Sequence, residues 1–149
     1  MRHLPKVLLT AAPVAAIAVG LSTSPALAAN GPPSLKHTGC TVTAYDPVAA
    51  TKTVRFGYSC DPGLRIDVRQ EVYDFDGRHD LSDLMSTKLF SYPGGSGTGQ
   101  VLLRTTQWDG PSDHEAEVYQ HLRFRVYGPT GPRPLSSWLD SVIVPVKTW

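Results

Sequence analysis

The chain has 149 residues, 14 of them basic and 13 acidic, with a formal net charge of +1, 41% hydrophobic side chains and two cysteines. So balanced a chain lacks the cationic excess that phosphate neutralisation demands, which argues against nucleic acid as the main partner and against an anionic membrane surface. Its length suits one domain with a real core, of a size that gains noticeably from a covalent cross-link.

The first predicted element is a cleaved export signal over residues 1–29. Arg2 and Lys6 precede the apolar run Val7 to Leu21, and Ala26-Leu27-Ala28 offers the small residues at which a signal peptidase cuts. The run falls short of the roughly 20 residues of a membrane span, and Pro13 and Gly20 interrupt it. There is no cysteine at the cut for lipid attachment and no paired arginine before the run. The expectation is bacterial-type secretion into an oxidising, extracellular setting. Cleavage removes two of the 14 basic residues and none of the 13 acidic ones, so the net charge moves from +1 to about −1. Asn30 to Gly39, with Pro32-Pro33, reads as a flexible leader able to add to a partner's sheet edge. Residues 40–149 then form a single domain.

Cys40 and Cys60 are an isolated pair, and in an exported chain such a pair is expected to form a disulfide rather than a metal or redox site. Cys40, Val42 and Ala44 share even parity with Val54, Phe56, Tyr58 and Cys60, so period-2 alternation puts them on one face of two strands. With the turn at Asp46-Pro47 to Lys52, Cys40 lies directly across from Cys60 in an antiparallel hairpin. Leu64, Ile66, Val68 and Val72 alternate with Arg65, Asp67, Arg69 and Glu71 as a half-buried strand. Asp76-Gly77 marks a turn, Leu84 to Tyr92 is extended, and Pro93 to Gly99 is expected to be a flexible connection before a strand over Gln100 to Trp108.

Glu117 to Tyr127 is the longest alternation. Val118, Leu122, Phe124 and Val126 face inward with Gln120 as one polar member, and Tyr119, His121, Arg123, Arg125 and Tyr127 face outward. After the loop Gly128 to Pro134, Leu139 to Trp149 forms a last strand, where Pro145 forfeits a ladder donor and so marks a sheet edge. About seven strands with turn signals every 8 to 12 residues predict an all-β, antiparallel two-sheet sandwich. In strand count and size this resembles immunoglobulin-like domains. Tyr58-Ser59-Cys60 echoes a tyrosine corner, yet the cysteines stand too close for a bridge between sheets, and no tryptophan lies between them.

Chemistry-bearing groups are sparse. Asp74, Asp76, Asp80 and Asp83 with His79 concentrate calcium-type ligands at one turn, but the spacing misses an EF-hand and no bidentate glutamate follows, so a solvated turn is expected. Ser112, Asp113 and His114 have triad residue types without a nucleophile elbow, and His114-Glu115 lacks the second histidine of a zinc helix. No cofactor or metal is expected. The outward stripe Tyr119, His121, Arg123, Arg125, Tyr127 would span about 26 Å, the scale of a protein contact, and tyrosine and arginine dominate such contacts. The same stripe also serves as a soluble outer sheet face. The expected function is therefore non-catalytic binding of another macromolecule, a protein in the first place, as inhibitor, adaptor or accessory subunit. Carbohydrate or cell-wall binding through Trp108, Trp138 or Trp149 is the second expectation, and a small secreted hydrolase the third.

Overall fold

The computed structural model describes residues 31–79, 82–103 and 115–147. Residues 1–30, which include the expected export signal, and Asp80, Trp108, Ser112 to His114 and Trp149 lie outside the described residues. Within them the chain is all-β: β1 Ser34–His37, β2 Cys40–Ala44, β3 Thr53–Asp74, β4 Asp83–Leu102, β5 Glu115–Gly128, β6 Gly131–Leu135, β7 Leu139–Asp140 and β8 Val144–Lys147. All pairings are antiparallel and belong to one hydrogen-bonded sheet that curls.

Ser34–His37, inside the segment expected to be a flexible leader, is a strand of this sheet. Thr38 and Gly39 take positive φ of 49° and 87°, the twist that a two-residue hairpin turn requires, and return the chain into β2. Cys40 then pairs with Cys60 in register and is disulfide-bonded to it. Closing a loop of this length stabilises the fold by about 3 kcal/mol in the chain-entropy view.

Two expected strands are joined in β3. It carries β2 on one edge through Phe56 to Cys60, then β5 on that same edge from Arg65 to Asp74, while β4 follows its other edge throughout. The sheet changes direction where Asp61 to Leu64 bulge between the pairs Cys60↔Gly95 and Arg65↔Pro93. Gly63 and Gly95 take positive φ there. The expected flexible stretch Pro93 to Gly99 is thus a continuous part of β4. Its glycines make space instead of slack, since a Cβ at Gly99 would collide with the Phe56 ring and one at Gly97 would lie 2.8 Å from the Tyr58 ring.

The curl brings β2 and β5 into one core. Val42, Ala44, Phe56, Ile66, Val68, Leu122, Phe124 and Val126 pack around the disulfide, each fully buried aliphatic or aromatic side chain contributing about 1.5–3 kcal/mol. His37 closes the curl from β1: its ring meets Phe124 edge-on at 5.9 Å, and Nε2 donates to the Pro134 carbonyl at 2.8 Å. A second cluster of Val54, Val72, Ala116, Val118 and Val146 lies further along. Between the clusters sit Gln70 and Gln120, both fully buried. Gln70 Nε2 donates to Gln120 Oε1 at 2.9 Å, and Gln120 Nε2 donates to the carbonyls of Tyr45 and Arg55, tying β5 to the β2–β3 hairpin.

The outer edge of β5 is covered by three short pieces, β8, β7 and β6, where one last strand after a loop was expected. Pro132, Pro134 and Pro145 forbid a continuous ladder, and Pro145 stands on an edge strand as its missing N–H requires. On the opposite margin, β3 is the neighbour of β4 among the described residues.

Candidate binding face

The odd-numbered residues of β3 and β5 share the outer face of the second half of the sheet. Register sets them in rungs: Tyr127 beside Arg65, Arg125 beside Asp67, Arg123 beside Arg69, His121 beside Glu71 and Tyr119 beside Tyr73. The five side chains of the expected stripe are therefore aligned on one strand, but they are not equally available.

Tyr119 is only 3% exposed. It stacks on Tyr73 at 5.4 Å, and Phe75 and His79 stand edge-on to it at 6.2 and 4.9 Å. The main chain explains this cover. Phe75 N donates to Glu117 O at 2.8 Å, so the chain runs on beside β5 past the end of β3 before the Asp76-Gly77 turn sends His79 back. His79 makes an aromatic contact and Asp74 Oδ1 accepts from the N–H of Glu117 at 2.9 Å, while Asp80 of the calcium arrangement considered for this turn lies outside the described residues. Among the described residues no group of three His, Cys, Asp or Glu side chains is placed to hold a metal. Burial, then the hydrogen bond to Glu71 at 2.8 Å, pushes Tyr73 up to about 12, and burial raises Tyr119 as well.

Further along, His121 stacks on Trp138 at 4.0 Å and contacts Asp140 through Nδ1. A histidine oriented by a carboxylate is two-thirds of a hydrolase triad. Here Trp138 covers one ring face, Tyr73 stands edge-on at 6.2 Å, and among the described residues no serine hydroxyl hydrogen-bonds the ring. The pair positions Trp138 over β5.

Arg123, Arg125 and Tyr127 form the accessible part. Arg123 lies over Trp138 at 5.3 Å and donates from Nε to Ser136 O at 2.9 Å. Arg65 lies over the Tyr127 ring at 4.1 Å. Arg69 pairs with Glu71, and Arg65 with Asp67 at 3.7 Å. Asp67 also accepts from Ser91 Oγ at 2.6 Å. A shallow groove of about 250 Å³ runs over Asp67, Arg69, Arg123, Arg125 and Tyr127, with Leu89 of β4 on one flank and Leu135 and Trp138 on the other. Those flanks are apolar and open to solvent, Leu89 at 69%, Leu135 at 39% and Trp138 at 37%.

Leu89, Leu135 and Trp138 were not singled out in the sequence as part of this face. Leu89 was readable as an odd-numbered residue in an extended run, out of phase with Phe90 and Tyr92. Trp138 and Leu135 depend on how the proline-broken segments dock, which local pattern does not encode. Comparison with known protein families, with curated proteins and with solved structures returns no match to this chain.

Proposed function

We propose that this chain is an exported, non-catalytic β-protein that binds another protein through the outer face around Arg123, Arg125, Tyr127 and Trp138. The observation that carries the reading is the coincidence of exposed apolar flanks, aromatic rings and arginines on one face of the sheet. Export is supported by the disulfide and by the character of residues 1–29. The curl is read as the closing of a two-layer sandwich of immunoglobulin-like size, with the outer face of the β3–β5 half offered to the partner.

The test is cross-linking of the full chain in culture fluid, comparing the native chain with Trp138→Ala. A stoichiometric protein adduct lost in the variant supports the reading. Adducts unchanged by the substitution count against this face.

A second reading, carbohydrate or cell-wall binding, is favoured by a different surface. Thr41, Thr43, Tyr45, Ser59, Ser96 and Thr98 line a broad, hydroxyl-rich depression of about 430 Å³ on the first half of the sheet. Retention on insoluble polysaccharide, lost in Tyr45→Ala, distinguishes it.

A further inference from the structure

The charges of the binding face do not balance. In the groove itself Arg69, Arg123 and Arg125 meet one carboxylate, Asp67, while Arg65 and Glu71 stand beside it and Asp140 is held by His121. Arg69 and Arg123 are direct cross-strand neighbours, an arrangement that costs stability unless each charge is answered elsewhere. Glu71 answers Arg69, while Arg123 rests against Trp138 and the Ser136 carbonyl, neither of which neutralises its charge. Asp67, the residue opposite Arg125, is already engaged by Arg65 and by the Ser91 hydroxyl. Arg125 is exposed and has no carboxylate partner among the described residues. Positive charge in excess, concentrated between apolar flanks, complements an anionic partner.

Spacing narrows the choice. Arg123 and Arg125 are two residues apart on one strand, so their Cα atoms repeat at about 7 Å. An extended peptide laid along β5 presents alternate side chains to the face at that same repeat. The flanks stand about three strand spacings apart, roughly 14 Å, which admits one extended chain.

Resting on the protein-binding reading above, we propose that this groove takes an extended acidic segment of the partner, with carboxylates at alternate positions over Arg123 and Arg125 and its main chain lying between Leu89 and Trp138. Arginine forms paired, planar hydrogen bonds to such carboxylates.

The test uses the full chain and fluorescein-labelled octapeptides, one alternating Glu with Val, one alternating Lys with Val, and one with the same Glu and Val residues in blocks. The alternating acidic peptide is expected to bind, to weaken at least tenfold with Arg125→Glu, and to weaken as salt is raised. Arg125 is exposed, so its replacement leaves the fold intact. Equal binding of the acidic and basic peptides overturns the proposal, as does equal binding of the block peptide or indifference to Arg125→Glu. Tighter binding of a sulfated polysaccharide than of the peptide also overturns it. The protein adduct serves as the separating control: if it is lost in Trp138→Ala but unchanged in Arg125→Glu, the acidic segment fails while protein binding stands.

Discussion

Ser136 and Ser141 make the same set of hydrogen bonds to β5, four residues apart on that strand. Ser136 Oγ accepts from Phe124 N at 3.0 Å while Ser136 N donates to Phe124 O at 2.9 Å. Ser141 does the same with Gln120, at 3.0 and 3.0 Å. Each hydroxyl then donates to the next carbonyl, Ser137 O and Val142 O. A side-chain oxygen thus stands in for a main-chain acceptor at the two breaks between the edge pieces.

Ser136→Ala and Ser141→Ala are each expected to destabilise the fold by about 1–3 kcal/mol, because a buried β5 N–H is left without an acceptor. Urea unfolding at neutral pH checks this. Unchanged midpoints would show that the hydroxyls are dispensable.

The Gln70–Gln120 pair makes a stronger prediction. Gln120→Leu removes the donor to two carbonyls and the acceptor for Gln70, at an expected cost of about 3 kcal/mol. The double Leu variant should cost less than the two single changes added, by about 0.5–3 kcal/mol of coupling. Strict additivity in denaturant unfolding would contradict a direct interaction.

Gly99 is predicted to be intolerant. Gly99→Ala meets the Phe56 ring and is expected to cost about 1–3 kcal/mol, whereas Gly31→Ala, with no atom within 4 Å of the added carbon, should be neutral. Thermal melts of the two variants provide the comparison.

The alkaline limb of the stability curve should report Tyr73. Its folded value of about 12 exceeds the ordinary value near 10, so the folded chain holds this proton more tightly than the unfolded one. The resulting stabilisation is complete below pH 10 and is lost as the pH rises from about 10 to 12. Tyr92 and Tyr119, also raised by burial, act in the same direction. Tyr73→Phe is expected to flatten this fall in urea midpoints measured from pH 9 to pH 12, and an unaltered slope would contradict it.

Parity carried the sequence reading where neighbours in the sheet are also neighbours in the chain. Cys40 opposite Cys60, the inward row from Val118 to Val126 and the edge position of Pro145 all follow from period-2 alternation and the missing proline donor. What escaped it depends on distant contacts. The glycines of β4 read as a loop until rings about forty residues earlier fill the space above them. Tyr119 reads as outward until Phe75 and His79 cover it. Gln70, a polar residue in the inward row between Val68 and Val72, is intelligible only beside Gln120.

The margin of β4 has a consequence for how copies of the chain treat one another. A strand of 20 residues with a single hydrogen-bonded neighbour among the described residues is a ready seed for stacking into fibrils. Pro93 withholds a donor midway, and Lys88 would set like charges against each other in a parallel, in-register stack. The strand that can least avoid meeting its own kind carries the residues that spoil it as a template.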